Sequence, residues 1–315
     1  MRYKHYVIIA LLSMQLSLAV AINEKAGTAG FAFFKVRFSP RAAAMANAYT
    51  GMSDQADAVF FNTAGLSQLK NDEIIASYMN YFDGFNGGSV VYARRFDDKI
   101  NFAFFSQFLT SGDIEKTIVS STGGYEIVGD FAASEFIFGG GVSYDFHEIV
   151  KFGFNLKFIY ESIDKKSQSA IATDLSLLHQ TTNEKIMLGL SLMNLGTQLS
   201  KFTESSPTVD LPITAQIGIN YLALENLQFN LDLCRPLHGD FSGMIGTEWK
   251  VVDTFKLRAG FNNRFKDWDG GGDYGALSGL SAGAAFSVNG ITIDYAVSSY
   301  GDLGFLNQLA VKYKF

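Results

Sequence analysis

The chain has 315 residues, with 25 Lys and Arg against 31 Asp and Glu, a formal net charge of −6, and only 18% charged residues. An acidic chain without a basic stripe argues against nucleic acid as a partner, and the single cysteine, Cys234, excludes an internal disulfide. No run of about eighteen apolar residues follows the N-terminal region, which argues against helical membrane spans, while 31 Gly, 29 Phe and 14 Tyr fit a sheet whose two faces meet different solvents.

Residues 1–21 read as a signal peptide. Arg2, Lys4 and His5 make a basic start, Val7 to Val20 form an apolar core, and Ala19-Val20-Ala21 supplies a small-x-small cleavage site. The apolar run of about fourteen residues is short of the roughly twenty that a spanning helix needs. The absence of a cysteine near the cleavage site argues against a lipid anchor.

Residues 22–72 differ from all that follows. Small residues cluster in RAAAMANA, aromatics come in adjacent pairs (Phe33-Phe34 and Phe60-Phe61), and arginines sit among them. From residue 73 to 315 the chain repeats an alternating strand followed by a turn. Fourteen strands are expected near 73–82, 89–96, 99–110, 131–146, 149–163, 168–180, 184–197, 211–222, 226–236, 242–251, 254–264, 277–288, 290–300 and 305–315. Ile217, Ile219 and Tyr221 fall opposite Gln216, Gly218 and Asn220, and Phe229, Leu231 and Leu233 fall opposite Asn230, Asp232 and Cys234. Phe152, Phe154, Leu156 and Phe158 are assigned to lipid, and Lys151, Asn155 and Lys157 to the lumen.

Period two alone says half-buried sheet; connection length adds the membrane. Even-numbered connections are tight, as at Asp97-Asp98, His147-Glu148 and Val252-Asp253. Odd-numbered ones are mostly longer, notably 111–130, 198–210 and 265–276. Short turns at one end and long loops at the other are the build of an outer-membrane barrel, and an even strand count puts both termini on the periplasmic side. The last strand ends in Tyr313 and Phe315 on its apolar face, which reads as a barrel insertion signal. The fold class expected is all-β: an antiparallel transmembrane β-barrel of about 14 strands, residues 73–315, with residues 22–72 as an N-terminal luminal plug, or hatch. The location expected is the outer membrane of a diderm bacterium, with outer-membrane lipid as partner.

The segment GTAGFAFFKVRFSPRAAAMANAYTGMSDQADAVFFNTAGL resembles the N-terminal hallmark of the PorV/PorQ proteins, a branch of the FadL-type outer-membrane barrels. KFGFNLKFIYESI, KIMLGLSLMNLGTQL, LPITAQIGINY, LRAGF and ITIDYAVSSYGDLGFLNQLAVKYKF extend the resemblance along nearly the whole chain after residue 21. It implies a fourteen-stranded barrel with a hatch in its lumen. Where FadL-like hatches carry Asn-Pro-Ala-Gly-Leu, this chain has Asn62-Thr63-Ala64-Gly65-Leu66, so the proline is missing. Arg41 matches the family's arginine before the small-residue run. Its expected role is to hold the hatch to the lumen wall through acids such as Asp54 or Asp57, the other reading being ligand contact. Phe33, Phe34, Phe60 and Phe61 are read either as packing groups or as contacts to a hydrophobic ligand.

No catalytic or metal-ligating constellation emerges, and no cofactor is expected. His5, His147, His179 and His238 are scattered, and Asp267, Asp269 and Asp273 lack the full calcium-loop spacing. The resemblance implies two non-enzymatic functions. One is a shuttle or docking component of type IX protein secretion, partnered by secreted proteins or secretion components. The other is a FadL-like uptake channel for hydrophobic small molecules such as fatty acids.

Overall fold

The computed structural model describes residues 25–121, 123–264 and 270–315. The expected signal peptide, residues 1–21, and Asp267 and Asp269 lie outside the described residues. Among the described residues there are sixteen strands: β1 Glu73–Asn80, β2 Asn86–Arg95, β3 Ile100–Thr110, β4 Ile114–Val119, β5 Tyr125–Phe131, β6 Ala133–His147, β7 Val150–Ile163, β8 Lys166–Gln180, β9 Ile186–Ser200, β10 Thr214–Leu224, β11 Leu227–Pro236, β12 Ser242–Val252, β13 Phe255–Asn262, β14 Leu280–Val288, β15 Ile291–Ser299 and β16 Phe305–Lys314. Fourteen of them close an antiparallel barrel, in which β16 returns to pair with β1 and β3 pairs with β6. β4 and β5 form a separate two-stranded hairpin.

Two connections differ from the sequence expectation. The stretch 111–130, read as a plain loop, holds the β4–β5 hairpin. Its residues are mostly exposed on both faces, so no buried face marks either strand by its apolar side. The connection after β7, read among the longer ones, is the two-residue turn Asp164-Lys165. Here β7 ends at Ile163 as expected but β8 starts at Lys166, two residues early, and the turn passes through Asp164, which takes a left-handed φ of 52°.

Period two fixes which face each side chain takes. In β10, Ile217 and Ile219 are 51% and 40% exposed, while Gln216 is 1% exposed. Phe152, Phe154 and Leu156 of β7 point outward, and Asn155 and Lys157 are buried inward. Leu309, Val311 and Tyr313 of β16 are outward and Gln308, Ala310 and Lys312 are inward. A lysine or arginine on the lipid face near mid-membrane costs roughly 2–4 kcal/mol, so inward Lys157, Arg258 and Lys312 hold the register against a one-residue slip. Among the described residues no helix is long and apolar enough to cross a membrane.

Residues 31–69 carry short helical turns at Ala32–Lys35, Pro40–Ala43, Ala56–Phe60 and Thr63–Gln68. They pack against inward-facing residues of strands all round the wall. Thr63 and Val59 lie against Gly141 of β6, Ala64 against Gly153 of β7, Thr50 against Gly189 of β9, and Met45 against Gly246 of β12 and Gly260 of β13. Gly30 N–H donates to Asp210 O at the long-loop end, at 3.0 Å, while Phe315 N–H donates to Asp72 O at the short-turn end, also at 3.0 Å. The two ends expected on one side therefore apply to the start of β1 and the C-terminus. The first described residues lie at the opposite end, because the N-terminal segment traverses the interior before β1 begins.

Replacing outward Ile219 by lysine is expected to destabilise the barrel by about 2–4 kcal/mol, measured by urea unfolding in lipid vesicles. The same change at inward Asn220 is expected to cost much less.

Candidate functional site

The interior is divided along its axis. Toward the long-loop end, Phe31, Phe33, Phe34 and Phe38 join Met79, Leu109, Leu211 and Leu306 in one buried cluster, against which Tyr81, Phe82, Val209 and Tyr300 also pack. The ring of Phe33 meets that of Phe38 edge-on at 6.1 Å, and Phe60 meets Phe105 of β3 at 5.3 Å. Phe61 lies edge-on to Tyr49 at 5.2 Å and under the Arg37 guanidinium at 4.6 Å, and Lys157 Nζ is 5.2 Å from the Phe34 ring centre. Phe33, Phe34, Phe60 and Phe61 thus all belong to one apolar interior, each no more than 8% exposed.

Toward the short-turn end the interior is ionic. Pro40 at the first position of its helical turn and Ser39 as its cap, accepting from Ala42 N–H, fix the direction in which Arg41 leaves the backbone. Arg41 Nη1 pairs with Asp54 Oδ1 at 2.6 Å, and Arg41 Nε with Glu248 Oε2 of β12 at 2.8 Å. A second contact, Arg41 Nη2 to Glu248 Oε1 at 3.0 Å, makes the wall pair bidentate. Arg258 Nε reaches Glu248 Oε2 at 2.7 Å and Arg258 Nη1 reaches Asp294 Oδ1 at 2.5 Å, while Lys256 Nζ adds a contact to Glu248 Oε1 at 3.1 Å. Asp54 is therefore paired with Arg41, as one of the two expected acids. Asp57 is not: it accepts from Ser39 Oγ at 2.5 Å and from Tyr49 Oη at 3.4 Å. The acid that joins Arg41 to the wall, Glu248, was not legible from sequence, because it lies 207 residues away and carries no local motif.

Burial pushes the Asp57 carboxyl up from its ordinary 3.8 to about 6, against the bond from Ser39. Burial is the largest influence on Asp54 and opposes its ionisation, but the charge and hydrogen bond of Arg41, together with Lys256, hold the group below its ordinary value.

Asn62 caps the Thr63–Gln68 turn: its Oδ1 accepts from Ala64 N–H at 3.2 Å, and its Nδ2 donates to Thr50 O and Leu177 O, each at 3.0 Å. Thr63 occupies the first position of that turn, where proline would fit because the backbone N–H there has no helical partner. Ala64 N–H also donates to Ser176 Oγ of β8 at 3.0 Å. At Gly65 an added Cβ would collide with the Ser53 carbonyl, so only glycine fits. Tyr313 and Phe315 lie well apart from these residues, exposed at the short-turn end of β16 with ring centres 4.9 Å apart.

Among the described residues no three His, Cys, Asp or Glu side chains are placed to hold a metal ion. His179 Nδ1 is 3.0 Å from Ile149 O, and His238 Nε2 is 3.3 Å from Asp210 Oδ2. In the stretch GGGDYG at 270–275, before β14, Asp302 accepts from the N–H groups of Gly270 at 2.7 Å and Gly272 at 2.9 Å, so a carboxylate from the neighbouring loop organises that backbone.

Replacing Arg41 by glutamine leaves Glu248 and Asp54 short of a buried cation. The N-terminal segment is expected to loosen by about 3–5 kcal/mol, read as faster hydrogen exchange over residues 40–60 with heat-modifiable gel mobility retained. For Asp57 the folded state binds a proton more tightly than the unfolded chain, so packing is strongest below the ordinary value of 3.8 and weakens as pH rises through about 6. Protection of residues 55–62 is expected to fall between pH 4 and 7 by the equivalent of about 2–3 kcal/mol, and Asp57→Asn to abolish that dependence.

No family model matches the chain, and no curated protein matches it by sequence. Its fold, however, is that of solved outer-membrane barrels of the FadL type. A deletion mutant of the monoaromatic hydrocarbon channel TodX matches with a TM-score of 0.60 at 11% identity, over 83% of this chain and 95% of that one. The toluene transporter TodX of Pseudomonas putida matches at 0.58 and 12% identity, over 85% and 95%. A FadL homologue of Pseudomonas aeruginosa matches at 0.57 and 10% identity, over 89% of this chain and 99% of that one. At these identities the likeness is one of fold: a closed fourteen-stranded antiparallel barrel of the outer-membrane FadL type.

Proposed function

We propose that the protein is a non-enzymatic outer-membrane channel that admits hydrophobic small molecules from the long-loop end, with residues 22–72 acting as its luminal plug. The observation that carries this reading is the apolar interior at that end, where Phe31, Phe33, Phe34 and Phe38 sit beneath Tyr81, Phe82 and Tyr300. A ring-lined interior below the loops suits an apolar solute, which gains by leaving water. The fold it shares with a toluene transporter and a hydrocarbon channel supports the same reading. In this orientation the long loops are extracellular, and the short turns and C-terminus periplasmic. Phe33, Phe34, Phe60 and Phe61 are then ligand contacts as well as packing groups, and the plug must shift for a solute to pass.

One observation favours the second reading, a PorV/PorQ-type docking component of type IX secretion. The β4–β5 hairpin exposes Val119 at 87%, Tyr125 at 74% and Ile127 at 56%, an apolar surface of the kind that receives a protein partner.

Reconstitution in vesicles separates the two. Uptake of radiolabelled toluene or oleate well above empty vesicles, reduced several-fold by Phe34→Trp, is the expected result. Uptake no faster than empty vesicles, together with a secreted protein co-purifying only while residues 112–131 are present, would reverse the order of the two readings.

A further inference from the structure

At the short-turn end a recess of about 330 Å³ opens beside the tight β14–β15 turn, Asn289-Gly290. Its charged lining consists of Arg41, Lys256, Arg258, Lys312 and Lys314, with Asp54 as the one carboxylate among the described lining residues. Acids beside the recess account for most of these cations. Arg41 is held by Asp54 and Glu248, Arg258 by Glu248 and Asp294, Lys256 by Glu248, and Lys314 Nζ by Glu73 Oε1 at 3.2 Å. The second oxygen of Glu73 is taken by Ala56 N–H at 3.0 Å. Asp57, nearby in the N-terminal segment, has both oxygens engaged by Ser39 and Tyr49.

Lys312 is the exception. It lies on β16 between Ile75 of β1 and Thr292 of β15, and its residue is only 4% exposed. Among the described residues its Nζ makes no hydrogen bond or ion pair; Glu73, Asp294 and Asp57 act on it only through space. An ammonium group so far from bulk water is costly without a directly bonded partner, and the recess it lines has space for one.

We infer that this recess is an oxyanion site, in which a singly charged carboxylate or phosphate group binds to Lys312 with Lys256 and Lys314 at its rim. The three carboxylates that hold Arg41 and Arg258 exclude a larger negative charge, which selects for one small anionic group. The group arrives from the short-turn side, either as a free anion or as the head of an anionic lipid. The inference does not rest on the uptake reading, since the site is at the opposite end of the interior from the phenylalanine cluster.

Titration calorimetry on the detergent-solubilised barrel tests it, with acetate, inorganic phosphate and dihexanoyl phosphatidylglycerol as probes. One-to-one binding of at least one probe is expected, weakened tenfold or more by Lys312→Met and substantially retained by Lys312→Arg, with heat-modifiable mobility intact in both. Binding of acetate or phosphate identifies a free anion as sufficient, and binding of the short-chain lipid alone identifies a lipid head group. Equal affinity in wild type and Lys312→Met would overturn the inference. So would the absence of saturable binding of all three probes to the wild-type protein, whatever the variants do.

Discussion

A barrel wall satisfies its own peptide groups strand to strand, but an irregular segment enclosed by it cannot do so, and there is little water to help. Most of the interior chemistry answers this requirement. Asp232 of β11 accepts from Tyr49 N–H and Thr50 N–H at 3.0 and 2.8 Å. Ser176 accepts from Ala64 N–H, Ser191 Oγ donates to Phe61 O at 2.7 Å, and Asn155 Nδ2 donates to Val59 O at 3.0 Å. The inward polar residues that mark the lumen face are thus a complementary surface for one particular backbone path. Where the wall carries no polar group it often carries glycine, which lets the segment's main chain come to the distance of direct contact. At Gly218, for example, a Cβ would be 2.7 Å from the Gly51 nitrogen.

The two ends of the interior follow different physics. The aromatic end is held by area removed from water, which is non-directional and tolerates rearrangement. The ionic end is held by directional pairs centred on Glu248, which receives Arg41, Lys256 and Arg258 together. Removing one partner of such a cluster is costly, whereas the cluster as a whole adds little net stability over apolar packing. The N-terminal segment is therefore anchored specifically at the short-turn end and packed adaptably at the other. On the uptake we propose, a solute entering among the phenylalanines meets the part of the segment that can give.

The barrel was legible in the sequence because lipid enforces strict alternation, as in Phe152, Phe154 and Leu156 against Asn155 and Lys157. The β4–β5 hairpin was not, because it has no lipid face, although Gly123-Gly124 between two β-rich runs is a turn signal. Within the site, Arg41 and Asn62 stood out by local pattern and by family resemblance. Glu248, the wall partner of Arg41, and Asp232, Ser176 and Ser191, which bind the backbone at residues 49, 50, 64 and 61, did not, since each is one polar residue among many inward ones and acquires its role only from strand register. The glycines at 153, 189, 218, 246 and 260 take inward positions on β7, β9, β10, β12 and β13, with Gly189 opposite Gly218 and Gly246 opposite Gly260. Their spacing was visible as alternation, but their common purpose needed the enclosed segment.

Those glycines also tie the closure of the wall to its contents. A wall with glycines where side chains would fill it cannot close around an empty interior without leaving voids and unpartnered carboxylates. The segment precedes β1, and β1 pairs with β16 along eight residues, from Glu73 with Lys314 to Asn80 with Asn307. That seam joins the most distant parts of the sheet in sequence, and the loop-closure entropy it must overcome is the largest in the barrel. A seam closed without residues 31–69 would enclose those voids and unpartnered carboxylates, so the closed wall and the segment inside it are stable only together.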